Sequence, residues 1–430
     1  MSKFPRLRRI EPGELRRRGR GPLDPQTISD AARIVQRVRE GGELALREHA
    51  LRLDGLAAHE PLTLDRNALE AACNSITRDT RALLERTAGR IRRFAEAQRA
   101  CLRDLSLEIP GGAAGHTVLP VESAGCYAPG GRYPLVSSML MTVVTARAAG
   151  VSRVWAASPR PAPLMLAAAA IAGADGLLAA GGAHAVAALA YGIGPAAACD
   201  VIVGPGNRWV TAAKHLVSGD VRIDMLAGPS ELLIVADDSA DPRWVAADLL
   251  AQAEHDVDAI PMLIAVSPTL LDAVERELSQ QLESLATRET AAASISNGFA
   301  ISAGSIDEAV ALCDQIAPEH LELHVRDAER VAARVRRCGC VFIGHETAEV
   351  FGDYGAGPNH TLPTGGSARF ASGLSVLSFV RQQTWLQCRR DESAAAVGDD
   401  AIALARLEGL EAHARSAEVR RDRASGAAAL

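Results

Sequence analysis

Aromatic residues are scarce. Phe, Trp and Tyr make up 3% of the 430 residues, so a core must be packed from Leu, Val, Ile and Ala, a composition common in alanine-rich α/β enzymes. An excess of positive charge is also lacking: 46 Lys and Arg stand against 52 Asp and Glu, a formal net charge of −6. That mild acidity gives no global attraction for phosphate backbones or anionic lipid, and a nucleic-acid partner is not expected. No long hydrophobic run is present. The longest, Leu164 to Ala174, ends at Asp175 and is too short to cross a bilayer as a helix, so no membrane partner is expected. The eight cysteines lack the dense, regular spacing of a secreted disulfide scaffold, which favours a reducing, cytoplasmic setting. Cys338 and Cys340 form a C-x-C pair without a second pair to complement it, and read as buried, inert thiols. The basic start (Lys3, Arg6, Arg8, Arg9, Arg16, Arg17, Arg18, Arg20) has no apolar segment after it and contains Glu11 and Glu14. It reads as an arm that packs on a partner surface or stays partly mobile, not as a secretory signal.

What the chain does have is length and a balanced composition. At 48% hydrophobic and 23% charged residues it is globular, and 430 residues exceed one ordinary core, so two lobes are expected. Residues 27–103 read as helices, with Ser29 and Asp30 as start signals and Gly41-Gly42 as a break. Ala128-Pro129-Gly130-Gly131 then leads into an apolar segment, Leu135 to Ala149, with no period of two: a glycine-rich turn feeding a buried helix. Beyond it, short β-type runs alternate with Ala-rich helical runs, first over 151–217 and again over 232–343, which argues for parallel strands with crossover helices. A helix over 398–421 closes the pattern.

Several clusters carry chemistry. Gly192-Ile-Gly194-Pro195-Ala-Ala197 matches a dinucleotide fingerprint only formally, because it follows a helix rather than a strand. Asp200-Val-Ile-Val-Gly204-Pro-Gly206-Asn207 is a better candidate: a β-type run reaches a glycine turn and a helix begins, so backbone N–H groups there suit an anion or a cofactor's polar edge, or simply make a tight βα turn. Gln252 and His255 end an amphipathic helix three residues apart and share a face. In Pro318-Glu319-His320-Leu-Glu322-Leu-His324 the proline and the alternation favour an extended segment, and adjacent Glu and His suit water activation and proton transfer better than shared metal ligation. The segment 351–364 surrounds Asp353, Asn359 and His360 with turn residues, a site-like feature. Glu408 to His413 read, on their own, as a solvated helix face. Together these imply a two-lobed α/β enzyme with a Gln/His/Asp site suited to zinc; a two-lobed metal-dependent binding protein is the competing class, and it has no need of adjacent Glu319 and His320.

In this order the clusters resemble the histidinol dehydrogenase family over roughly residues 25–421. The segments that carry the resemblance are GCYAPGGRYPLVSS (125–138), VGPGNRWVTAAK (203–214), IDMLAGPSELLIVAD (223–237), LLAQAEHD (249–256), IAPEHLEL (316–323), FGDYGAGPNHTLPTGG (351–366), ASGLSV (371–376) and EGLEAH (408–413). The resemblance implies zinc bound by Gln252, His255, Asp353 and His413, with Glu319 and His320 as the catalytic pair. It implies substrate contacts from Ser230, His360 and Glu408 as well as from His320 and the metal ligands. NAD contacts are implied for Tyr127, Asn207 and position 184, where His184 replaces the family's usual glutamine. The implied reaction is the four-electron oxidation of L-histidinol to L-histidine through an aldehyde, in a homodimer whose partner subunit supplies Glu408 and His413 to each site. The implied fold is α/β, with two incomplete Rossmann-like parallel-sheet lobes, an N-terminal arm (1–22) and a small C-terminal helical domain. On this expectation 23–122 with 233–372 form the metal-binding and catalytic lobe, 123–232 the cofactor lobe, and 373–430 a dimerisation tail. Leu226 and Ala348, where prolines are common, and the segment 381–390 also depart from the family pattern. None is an implied ligand, and with His184 they leave open a relative that oxidises another amino alcohol or a polyol.

Overall fold

The computed structural model describes residues 5–15, 23–130, 135–194, 196–389 and 392–426. The chain forms two compact units, Met1–Ala97 with Val121–Phe379, and Gln98–Pro120 with Val380–Leu430. Its strands, in chain order, are β1 (Arg8–Arg9), β2 (Thr63–Asp65), β3 (Leu105–Ile109), β4 (Gly112–Pro120), β5 (Ser123–Tyr127), β6 (Arg153–Ala157), β7 (Gly176–Leu178), β8 (Val201–Val203), β9 (Arg222–Ile223), β10 (Glu231–Ala236), β11 (Ile260–Ala265), β12 (Phe299–Ser302), β13 (His320–His324), β14 (Cys340–Ile343) and β15 (Val380–Cys388).

The first unit holds two six-stranded sheets, ordered β2-β7-β6-β5-β8-β9 and β1-β12-β11-β10-β13-β14. Leaving out the outermost β2 and β1, both follow one plan: two strands added leftward from β5 or β10, then a return to the other side with β8 or β13. All pairs are parallel except β2 with β7, so helices must cross over and cover both faces. The central strands are accordingly apolar throughout: Val201–Val203 is completely buried, as is Leu232–Ala236. The helix Val136–Ala149, which follows β5, carries no polar stripe because it is enclosed on nearly every side. Its C-terminus turns at Gly150, in the left-handed region where glycine is at ease.

Most alternating elements lie within a residue or two of their expected bounds, since most helices of these crossovers are opened by Pro, Ser, Asp or Asn and the strands by apolar runs. Five expectations are corrected. Helix Pro25–His49 starts at the Asp24 cap, which accepts from the Thr27 N–H at 2.9 Å, ahead of Ser29 and Asp30; the expected break at Gly41-Gly42 is present, because Gly42 takes a non-helical φ of 59° and ψ of −144° that divides it into two helical stretches. Described residues of the basic arm belong to this chain's own sheet: β1 extends β12, Leu7 and Ile10 are buried, and Arg9 pairs with Glu275 at 3.0 Å and with Asp272. The segment 23–122, expected to join 233–372, is divided: β2 joins β7 in the other sheet and helix Pro25–His49 packs on helices Gly182–Tyr191 and Arg208–Val217, Arg90 of helix Arg78–Ala100 donates to the Gly355 carbonyl at 2.8 Å, and Gln98–Pro120 belongs to the second unit. The C-terminal unit begins at Val380, not 373, and includes a three-stranded antiparallel sheet, β15-β4-β3, besides its helices. The single helix expected over 398–421 is two, Glu392–Leu407 and Glu411–Gly426, broken where Gly409 takes a φ of +74°. Among the described residues no helix is long and apolar enough to cross a membrane. Cys338 and Cys340 are half-buried, and burial pushes each thiol up to about 11.

Candidate active site

Glu319 and His320 stand where the chain enters β13, beside the first residue of β10. The extended reading of this segment holds: alternation sends Leu321 and Leu323 into the hydrophobic core and leaves His320, Glu322 and His324 on the opposite face. Both Glu319 and His320 are buried. The Glu231 backbone fixes them together, its N–H donating to Glu319 Oε2 at 2.8 Å and its carbonyl lying 3.1 Å from His320 Nδ1. Burial lowers the His320 imidazole to about 4, and the same cause holds the Glu319 carboxyl well above the usual range. His320 Nδ1 faces acceptors only, the Glu231 carbonyl and Glu349 Oε1 at 3.2 Å, so its proton resides on Nδ1 and Nε2 keeps its lone pair.

The helix Pro242–Ala253 brings Gln252 to the same place, and His255 follows two residues after its end. Gln252 is completely buried, whereas the His255 side chain is 39% exposed, as the solvent-facing edge of a site requires. His255 Nε2 lies 3.3 Å from Asp353 Oδ2. Two ligands of a tetrahedral zinc ion with bonds of about 2.0–2.2 Å lie about 3.3–3.6 Å apart, so the pair is spaced as one edge of such a site. Glu349 and Asp353, four residues apart, sit at the two ends of one helical turn, and ligand atoms of His255, Glu349 and Asp353 all fall within 4.8 Å of one another. Burial opposes ionisation of Asp353, yet the hydrogen bond from His255 and the surrounding imidazoles hold its carboxylate below the ordinary value. The donor set therefore fits a borderline divalent cation.

His360 ties this lobe to the other. Its Nε2 lies 3.0 Å from Ser138 Oγ, on the helix after β5, and its Nδ1 3.0 Å from the Asp353 carbonyl. Burial lowers this imidazole as well. Asn359 donates to the Met141 carbonyl at 2.9 Å, which makes it a fastener between the lobes. Ser230 is half-buried immediately before β10, and its carbonyl accepts from the Ile260 N–H at 3.0 Å. Glu408 and His413 belong to the second unit, where both side chains are exposed.

The positions expected to meet a cofactor lie at the carboxyl ends of β5 and β8, adjacent strands between which the sheet order reverses, the usual ligand crevice of open parallel sheets. Tyr127 ends β5; its buried hydroxyl accepts from the Gly182 N–H at 3.3 Å, and burial raises it to about 12. Gly204 follows β8 with a φ of +117°, and a Cβ there would meet the Tyr127 carbonyl at 2.0 Å, so no side chain is tolerated. Asn207 caps the next helix, accepting from Trp209 and Val210 N–H groups at 3.0 and 3.3 Å, which leaves its amide nitrogen for a ligand. His184 Nε2 bonds Asp54 at 2.7 Å, and its buried Nδ1 has no partner, an orphaned polar atom that a bound cofactor would satisfy. Gly192 ends a helix in the left-handed region, so the formal fingerprint at 192–197 lacks the strand it needs.

Glu349 was not singled out from the sequence. The signal was there in its place one helical turn before Asp353, but the partners that give it meaning come from remote segments.

Two parallel α/β lobes, with a neutral imidazole buried against a carboxyl group and a Gln/His/Asp donor set, define an enzyme of proton transfer at a donor-rich site. The histidinol dehydrogenase family model matches residues 20–421. Histidinol dehydrogenase of Aromatoleum aromaticum is 44% identical over 93% of this chain and 92% of its own, and that of Thermus thermophilus 45% identical over 93% and 96%. The crystal structure of histidinol dehydrogenase from Elizabethkingia anophelis superposes with a TM-score of 0.89 at 29% identity, covering 97% of this chain and 98% of that one. The chain belongs to the histidinol dehydrogenase family and is an oxidoreductase.

Proposed function

We propose that this chain catalyses the zinc-dependent, NAD-linked oxidation of L-histidinol to L-histidine through the aldehyde, as a cytoplasmic homodimer. The observation that carries the reading is the convergence of Gln252, His255 and Asp353 beside the buried pair Glu319 and His320, in a chain of this family. Gln252, His255 and Asp353 would hold the zinc, with His413 of the partner subunit as the fourth ligand. Bound zinc would supply a fixed charge that orients the substrate's nitrogen groups and favours ionised carboxylates nearby, and NAD would accept one hydride in each of two steps.

His320 takes the alcohol proton at Nε2. Its neutrality follows from burial, and its tautomer from the acceptors around Nδ1. The carbon-bound hydrogen leaves as hydride, giving the aldehyde. Glu319 activates the water that adds to that aldehyde, and loss of a second hydride from the hydrate gives the acid. Ser230, His360 and Glu408 position the substrate, and Tyr127, His184 and Asn207 hold the cofactor. Closing both oxidations in one site keeps a reactive amino aldehyde from escaping.

Incubation of the zinc-loaded protein with L-histidinol and NAD tests the reading. Two NADH per histidine formed is the expected stoichiometry. No turnover with saturating zinc rejects L-histidinol as the substrate, and turnover of another amino alcohol or polyol in its place would point to the departure at His184.

A further inference from the structure

The Gln252 amide has two ends of opposite chemistry, and only its carbonyl oxygen can ligate a cation. Something must choose which end faces the metal. Glu349 is buried beside it, and Gln252 oriented with its NH2 group toward Glu349 donates to the two carboxylate oxygens at 2.9 and 3.3 Å. When ionised, Glu349 accepts only from the NH2 end, so the oxygen is left for the cation. The same Glu349 Oε1 lies 3.2 Å from His320 Nδ1 and thereby helps keep the proton there.

Glu349 is itself held from behind. Its backbone N–H donates to Glu322 Oε1 at 2.6 Å; Glu322 Oε2 lies 3.2 Å from His324 Nε2, which lies 3.4 Å from Asp248 Oδ2. Asp248 and Gln252 are one turn apart on helix Pro242–Ala253, and Glu322 and His324 share a face of β13 with His320. The chain of contacts thus leaves the helix at Asp248 and returns to it at Gln252.

We propose that Glu349 is a positioning residue: it fixes the Gln252 amide with its oxygen toward the metal and the His320 ring with Nε2 toward the substrate. This inference rests on the zinc reading above. In this assignment the cation is held by Gln252, His255 and Asp353, and Glu349, whose oxygens face Gln252 and His320, acts from behind them; its place within reach of His255 and Asp353 makes direct ligation the alternative that the test must separate.

The test measures zinc affinity by chelator competition, and zinc content at saturation, for wild type, Glu349→Gln and Glu349→Asp. Thermal melting confirms that each is folded. The expected result is a fall in zinc affinity of about 10- to 100-fold in Glu349→Gln, the usual effect of losing a residue that orients a ligand, with one zinc per chain still bound at saturation. Glu349→Asp, with the charge kept and the reach shortened, falls between the two and decides the question if Glu349→Gln does not fold. Zinc affinity within twofold of wild type in both variants overturns the inference. So does loss of all zinc at saturation, which would make Glu349 a ligand. A wild-type chain that binds no zinc overturns the functional reading and this inference with it, whereas normal wild-type binding with indifferent variants overturns the inference alone.

Discussion

Two histidines of one strand show how far local surroundings decide what a side chain can do. His320 is lowered to about 4 by burial, and only a distant attraction to Asp353 and one backbone contact oppose this. Burial also pulls on His324, but hydrogen bonds to Asp248 and Glu322 outweigh it and raise the imidazole to about 9. The first is a neutral base, the second a buried cation clamped by two carboxylates. Their effects on stability have opposite signs. For His320 the unfolded chain binds the proton first, so stability is lost as pH falls from the ordinary value of 6.5 toward 4. For His324 the folded state holds the proton longer, so its contribution is present below 6.5 and is lost as pH rises through 9. Denaturant midpoints of metal-free wild type, His320→Gln and His324→Gln at pH 5, 7 and 9 check this. His320→Gln should flatten the acid side of the profile and His324→Gln the alkaline side; the reverse would refute the assignment. His320→Asn should also cut kcat by about 10²–10⁴-fold with zinc content unchanged, measured by steady-state NADH formation.

At the scale of elements, the arm is where sequence reasoning went furthest astray. Eight basic residues near the start suggested a surface for a partner, but the apolar residues between them decide the matter: Leu7 and Ile10 enter opposite core clusters of the β10 sheet, and β1 covers the edge of β12. Leu7→Ala should therefore cost about 2–5 kcal/mol, as for other buried leucines. Arg9→Ala, at a half-exposed ion pair, should cost less than about 1 kcal/mol. Urea midpoints distinguish this from a free arm, for which both changes would be silent. A second element, β13, was read correctly as extended, because Leu-Glu-Leu-His keeps a period of two that no helix would bury.

For the whole molecule, the two sheets of the first unit share one winding plan but use different ends. The proposed cofactor positions lie at the carboxyl ends of β5 and β8, while Glu319, His320 and Ser230 lie at the amino ends of β13 and β10. The His360–Ser138 and Asn359–Met141 bonds join these two edges, so substrate and cofactor groups can face each other. The proposed completion of the site by Glu408 and His413 of the partner subunit makes a distinct demand. His255→Ala and His413→Ala chains should each be inactive and lose zinc, yet an isolated mixed dimer should recover one of its two sites. NADH formation and zinc content of that dimer measure it, and an inactive mixed dimer would refute the shared site.

The sequence by itself determined the elements and the motif residues: alternation and capping are local, so β8, β14 and the crossover helices can be read from the order of residues, as can the pairing of Glu319 with His320. Only the tertiary structure decided what those residues meet. Gln252, Glu322 and the turn that carries Glu349 and Asp353 come from separate segments, and their distances depend on how a helix packs against a strand. The same holds for β1 and β2, strands of two and three residues whose sheet membership is set by the partner they hydrogen-bond and not by their own composition. Local pattern fixes which backbone a segment adopts; burial and long-range contact fix the charge, the tautomer and the neighbours from which chemistry follows.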